Sequence, residues 1–286
     1  MSSLWCAVVL ERDEQKTYML KRAGESESHR RRFTQEQSEI LQSIAESCKG
    51  LADFQSLYVG FDMESGLLIL EKSELPALNT YLKGIPIFQA AQGFPELIAG
   101  ARLAGRWLKR WHAATTKTGN SSTGLSRYVH AGTRSEGLAI LPSEYRQTLI
   151  EAVENFPDGQ VVRTHGDYTA FNVLTDGIKI SIIDPGVLEW RYIDPCWDIC
   201  TFTNSIEEQM TKLRGSAILA PKKVINRVKQ GFLDGYGSPE IQHSPSFLIC
   251  SAVRSFIRFW SERGEASAKY NLDRLADQLT ALRLLQ

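Results

Sequence analysis

Two aspartates and an asparagine lie close together in this chain of 286 residues. They fall in His165-Gly166-Asp167-Tyr168-Thr169-Ala170-Phe171-Asn172 and in Ile182-Ile183-Asp184-Pro185-Gly186. Phosphoryl transfer from a nucleotide needs those three groups. One carboxylate accepts the proton of the attacking hydroxyl. An amide oxygen and a second carboxylate hold the magnesium that bridges the phosphates. The spacing reads H-x-D-x-x-x-x-N, and Asp184 falls where the aspartate of a D-F-G element would stand. Taken singly, Gly-Asp and Asp-Pro-Gly are ordinary turn residues. Spaced around one hairpin, they point to a base and a metal site.

The segment between them supplies the positioning. Val173-Leu174 and Ile178 to Ile183 are apolar and β-branched, and Asp176-Gly177 between them predicts a two-residue type I′ hairpin turn. The hairpin doubles back, so Asp184 returns to the end of the ladder where Asn172 began. Two oxygen ligands separated in sequence then face one ion.

At these residues the chain resembles the aminoglycoside phosphotransferase and choline kinase family, small-molecule kinases with a protein-kinase-like fold. Asp194-Pro195-Cys196-Trp197-Asp198-Ile199 is similar to the family's D-P-x-x-D-L-A element. Gly105 to His112 is similar to its helix ending in L-x-x-L-H. Thr17-Tyr18-Met19-Leu20-Lys21 is similar to the strand carrying its phosphate-binding lysine, and Phe232-Leu233-Asp234-Gly235-Tyr236 to a late helix end. The resemblance implies an α+β, two-lobed fold. A small N-terminal antiparallel sheet with one helix would bind nucleotide (residues 1–72). A larger, mainly helical C-terminal lobe would carry catalysis and substrate (residues 73–286). It implies Asp167 as catalytic base, Asn172 and Asp184 as magnesium ligands, and Lys21 on the nucleotide phosphates. A glutamate of the first helix should hold Lys21. Glu36 shares a face with Phe33, Ile40 and Ile44 at helical spacing, and Glu39 is the alternative. Glu71 and Lys72, at the end of a short strand, mark the hinge that would meet the nucleotide base. Asp198 and His165 support the catalytic loop, and His112 is a buried support rather than a metal ligand, because magnesium prefers oxygen.

The chain departs from the family pattern in one respect. Kinases of this type cover the phosphates with a glycine-rich loop between the first two strands. Here no glycine precedes Gly24, and only one strand, Leu4–Leu10, precedes the lysine strand. The polar turn Glu11–Lys16 could take that place. A nucleotide-free or catalytically dead scaffold is the rival reading. A protein kinase is disfavoured, since no A-P-E element follows Asp184.

The implied reaction moves the γ-phosphoryl of ATP, with Mg2+ as cofactor, to a hydroxyl of a small molecule, with a sugar or amino sugar favoured over choline-like amines. Glu189, Trp190 and Tyr192 offer a carboxylate and two aromatic faces to that acceptor, or else simply pack the lobe. Composition agrees with an enzyme of this sort. Apolar residues make up 43% and charged residues 23%, ordinary for a globular protein. Lys+Arg and Asp+Glu are 33 each, so no basic field marks a nucleic-acid binder. Five cysteines without regular spacing suggest reduced thiols in the cytoplasm. Cys196 and Cys200, one helical turn apart, read as buried small side chains rather than zinc ligands. The apolar start Leu4–Leu10 is too short to span a membrane and reads as a strand.

Further strands are expected at Lys16–Arg22, Gln55–Phe61 and Gly66–Glu71, with a helix at Phe33–Ser47 preceded by the basic cluster His29-Arg30-Arg31-Arg32. Helices are expected at Leu75–Leu82, Glu96–Ala114 and Pro142–Phe156, the last N-capped by Ser143. Thr115–Ser126 reads as a surface loop. After Asp194 helices are expected at Pro195–Met210, Lys222–Tyr236, Ser246–Glu262 and Tyr270–Leu285.

Overall fold

The computed structural model describes residues 5–6, 10–13, 16–23, 27–83, 95–119, 124–126, 129, 141–186, 192–214, 222–261 and 265–284. Strand β3 (Lys16–Ala23) organises the first sheet. Strands β1 (Trp5–Cys6) and β2 (Leu10–Asp13) both pair with it antiparallel. On its other side lie β5 (Leu67–Glu71) and then β4 (Tyr58–Asp62). β1 and β2 follow one another along β3, so among the described residues a single strand line precedes the lysine strand. Alternation places Leu68 and Leu70 of β5 in the core, where they pack with Ile40, Leu41 and Ile44 of helix α1 (Glu27–Ser47).

α1 starts six residues earlier than the apolar face suggests, so the basic cluster His29 to Arg32 lies within the helix instead of ahead of it. Arginine is a good helix former, and no glycine or proline separates the cluster from Phe33.

The larger lobe is two-layered around α3 (Pro95–Thr115). Helix α2 (Leu78–Lys83) leads into the lobe, and α4 (Ser143–Glu154) flanks it. Then come α5 (Cys196–Arg214), α6 (Lys222–Tyr236), α7 (Pro245–Ser261) and α8 (Glu265–Arg283). α3 and α6 pack backbone to backbone. A Cβ on Gly105 would run into the carbonyl oxygen of Phe232 and the amide nitrogen of Tyr236, and one on Gly235 into the carbonyl oxygen of Arg102. The seam is sealed by rings: Phe202 stacks on Phe232 at 4.1 Å, and Trp107 on Tyr168 at 5.5 Å. Among the described residues no helix is long and apolar enough to cross a membrane.

Four expectations change. Lys117–Gly119, expected in a loop, forms β6, which joins β7 (Gly159–Arg163) and β10 (Tyr192–Ile193) in a sheet ordered β10-β7-β6. Ser143 is not the N-cap of α4. Pro142 takes that position with φ −50° and ψ 139°, and its carbonyl accepts from the amides of Tyr145 and Arg146. α8 begins five residues before Tyr270. The hairpin of β8 (Val173–Thr175) and β9 (Ile180–Ile182) closes through four residues, not two. Only Gly177 there has positive φ, at +89°. Asp176 Oδ1 instead accepts the amides of Ile178 and Lys179, an Asx turn that displaces the type I′ geometry.

Candidate active site

The loop after β7 carries Asp167, and its shape follows from buried hydrogen bonds. Asp198, in the first turn of α5, is fully buried. Its Oδ2 accepts the amide of His165 at 2.7 Å and its Oδ1 the amide of Gly166 at 2.9 Å. His112 Nε2 lies 3.2 Å from Oδ2, and His112 Nδ1 lies 3.1 Å from the Tyr236 hydroxyl. A ring protonated at Nε2 fits both, donating to the carboxylate and accepting from the phenol. Burial pushes the Tyr236 phenol well up, so it keeps the proton it donates. Gly166 holds φ +81°, which only glycine adopts readily, and Trp197 Nε1 donates to its carbonyl at 3.3 Å. Tyr168 plugs the loop into the core: its hydroxyl donates to the Ala104 carbonyl at 2.9 Å.

His165 links the Asp167 loop to the segment that carries Asp184. Its Nε2 donates to the Ile183 carbonyl at 3.0 Å, and its own carbonyl accepts the Gly186 amide at 2.8 Å. Burial lowers its pKa, against weaker opposing effects of Asp198, Asp167 and the Ile183 carbonyl, so the ring is neutral. Gly186 permits this approach, because a Cβ there would stand 3.0 Å from the Asp167 amide nitrogen.

The hairpin brings Asn172 and the Asp184 backbone together. The Ile183 amide donates to the Asn172 carbonyl at 3.0 Å, one step beyond the Val173–Ile182 pair. Asn172 Nδ2 donates to the Asp167 carbonyl at 2.8 Å, to Asp167 Oδ2 at 3.0 Å and toward the Asp184 carbonyl at 3.4 Å. All three of these bonds use the Asn172 amide nitrogen, and among the described residues none uses its amide oxygen. Asp184 is the only described non-glycine residue with positive φ, at 53°. Such a backbone persists where its surroundings over-determine it, which is common at functional sites. The donor set is oxygen alone, and among the described residues no three His, Cys, Asp or Glu converge on a point. That suits magnesium, which takes one or two protein oxygens together with phosphates and water.

Of the N-terminal elements, α1 touches the site, through Gln37. Lys21 lies on β3 opposite Leu68; its side chain is outside the described set. Glu36 is 3.1 Å from Arg32, while Glu39 lies 4.0 Å from Arg163 Nη2 and accepts from Gln35 at 3.4 Å. Gln37, between them, donates from Nε2 to the Pro185 carbonyl at 2.8 Å in a buried bond. Glu71 pairs with Tyr18, and its amide donates to the Leu57 carbonyl at 2.7 Å. Lys72 is 3.8 Å from Glu74 at the surface.

Beside Asp167 opens a cavity of about 300 Å³, lined by Asp167, Thr169, Phe171, Asn172, Ser205, Glu208 and Arg258. Tyr192 is elsewhere, on β10 with Lys117 Nζ 3.8 Å above its ring. Glu189 and Trp190 lie outside the described residues. Sequence reasoning passed over Gln37, Ser205, Glu208, Arg254 and Arg258. Arg254 and Arg258 did leave a signal, since they are the two charges inside a mainly apolar run, Phe247 to Trp260, whose other polar residues are Ser251 and Ser255.

A family model described as the phosphotransferase enzyme family matches residues 7–214. No curated protein matches the chain. Among solved structures it is similar to a putative fructosamine-3-kinase from Thermobifida fusca YX-ER1, with TM-score 0.58 and 12% identity over 96% of this chain and 94% of that one. It is similar to a choline/ethanolamine kinase family protein from Mesorhizobium loti, with TM-score 0.54 and 14% identity over 98% and 93%. It is also similar to aminoglycoside 2'-phosphotransferase-IIIa in its GDP complex, with TM-score 0.54 and 11% identity over 96% and 93%. Against a glucosamine kinase the chain spans 62% of that protein's length.

Proposed function

The chain belongs to the phosphotransferase enzyme family, and from that premise we propose that it moves the γ-phosphoryl group of ATP to a hydroxyl of a small molecule. The observation that carries the reading is the Asp167–Asn172 pair. Asn172 Nδ2 holds Asp167 Oδ2 at 3.0 Å, which leaves Oδ1 to orient and take the proton of the acceptor hydroxyl. Asn172 Oδ1 and the Asp184 carboxylate would hold Mg2+, which when bound neutralises charge on the phosphates. Lys21, steadied by Glu36 or Glu39, would meet the phosphates as well, and Glu71 and Lys72 would form the hinge between residues 1–72 and 73–286. His165 and Asp198 act through the loop, fixing where Asp167 stands. In such chemistry the protein mainly positions groups and screens charge.

A sugar or amino sugar is our acceptor class, supported by the polar cavity beside Asp167 and by the similar chain named a putative fructosamine-3-kinase. The cavity has a single aromatic wall, Phe171, among the described residues, which disfavours a quaternary ammonium needing a cage.

The test is a thermal-shift titration with ATP, with and without magnesium, on wild type and Asp184→Ala, followed by ADP release with sugar acceptors. A magnesium-dependent rise in Tm confined to wild type supports the reading. No rise at millimolar nucleotide would favour the scaffold alternative, with the single strand line before β3 as its structural basis.

A further inference from the structure

The cavity beside Asp167 has a basic wall. Arg258 lines it directly, facing the catalytic loop residues Asp167, Thr169 and Asn172. One turn back on α7, Arg254 is only 7% exposed, and its Nη2 is buried without a hydrogen-bond partner. Arg254, Arg258 and Glu208 also line a recess of about 10 Å³ behind the cavity, room for one water. The two guanidiniums stand at i and i+4, where like charges repel. That repulsion, after burial, is the main influence lowering the Arg254 pKa. Placing a second cation there is costly, and the carboxylates of Asp167 and Glu208 offset only part of that cost, since the Arg254 pKa stays lowered.

The third arginine of the region has a different role. Arg274 is bonded to Glu207 and to Asn204, and Glu207 also holds Lys229. In that network two cations share the one carboxylate of Glu207, which ties α8 to α5 and α6. Arg258 has other partners too, but a guanidinium carries five donors and can serve both them and a ligand. The remaining cavity groups suit a hydroxylated molecule: the Thr169 hydroxyl, the Asn172 amide and the ring of Phe171, with the Glu208 carboxylate to accept from a hydroxyl away from the anionic group.

Resting on the phosphotransferase reading above, we propose that this cavity is the acceptor pocket. Arg258, backed by Arg254, selects acceptors that carry an anionic oxygen group, a carboxylate or a phosphate, beside the hydroxyl to be phosphorylated. Arg258 takes the anion directly. Arg254 sits behind it, reaching the ligand through the single water its recess admits. Planar guanidinium donors match both carboxylate and phosphate oxygens.

The test uses the full chain in two steps. Calorimetry first measures Mg·AMP-PNP binding, which stands or falls with the phosphotransferase reading alone. Inorganic phosphate is then titrated into the chain, both nucleotide-saturated, so that the γ-phosphate position is filled, and nucleotide-free. Wild type is compared with Arg258→Gln and with Arg254→Lys, which keeps charge and bulk. Phosphate should bind wild type and weaken about tenfold in Arg258→Gln. ADP release with D-glucose, D-gluconate and D-glucose 6-phosphate then separates the two anion sources. One of the charged acceptors should have a KM about tenfold below that of glucose, and the advantage should vanish in Arg258→Gln. Three results each overturn the proposal while leaving the first step intact: no phosphate binding to wild type, equal binding to wild type and Arg258→Gln, or glucose used as well as both acids.

Discussion

Asp167 has one oxygen held by Asn172 and one facing a cavity, so a change that keeps its shape but removes its charge isolates the base. In Asp167→Asn, kcat should fall by about 10²–10⁴-fold while Mg·ATP still raises the Tm; unchanged kcat would move the base elsewhere. Tyr168 fixes that loop by one buried hydroxyl and one stacked ring. Tyr168→Phe should cost about 1 kcal/mol in a urea titration, the net worth of a buried hydrogen bond. Tyr168→Ala should cost about 3–5 kcal/mol, since a ring-sized hole replaces the stack on Trp107. His165 sets a pH dependence. Its ordinary value is 6.5, and burial lowers it in the folded chain. As pH falls through 6.5 the unfolded imidazole takes up a proton and the folded one does not. Its contribution to stability is therefore present above 6.5 and lost between 6.5 and its lower folded value. The Tm of wild type should drop across that window more steeply than the Tm of His165→Gln, and parallel slopes would assign the drop to other groups.

At the scale of elements, the α3–α6 seam is the least forgiving part of the fold. Three glycines, Gly105, Gly231 and Gly235, let the two backbones approach, and α3 also presents His112 to Asp198. Any widening of the seam is felt at the carboxylate that holds the catalytic loop. Gly105→Ala should destabilise by about 1–3 kcal/mol through overpacking, despite alanine's better helix propensity. A gain in stability would mean the helices can part freely. By contrast the β8–β9 turn rests on α3 through Gly177, beside Glu96 and Ala99, and leaves its next residue in solvent. Ile178 at its tip is 75% exposed, so Ile178→Ser should leave both stability and turnover within error.

For the molecule as a whole, the described cysteines are structural. Cys48, Cys196, Cys200 and Cys250 are free and buried, with burial pushing the Cys48 thiol up to about 11 and the Cys200 thiol up to about 12. All four should resist a thiol reagent at pH 8 until denaturant is added, because the thiolate is the reactive form. How much of this could be read from the sequence depended on range. Asp167, Asn172 and Asp184 could be singled out because their spacing around one hairpin forms a pattern, and Asp198 because its segment is similar to the family's D-P-x-x-D-L-A element. Arg258, Glu208 and Gln37 were not, since only tertiary packing carries them to the loop. β10 escaped notice for a similar reason: two residues become a strand only by pairing with β7, thirty positions earlier. Gln37 carries one more implication. Its bond to the Pro185 carbonyl makes the tilt of α1 and the seating of Asp184 a single mechanical coordinate. A ligand bound at the Asp184 loop would then be felt at α1, and by thermodynamic reciprocity the helix would act back on affinity. Gln37→Ala, touching no ligand, should weaken Mg·nucleotide binding by about three- to tenfold. Hydrogen exchange along α1 should slow on nucleotide binding in wild type and lose that response in the variant, so the first helix works as a gauge of whether the site is loaded.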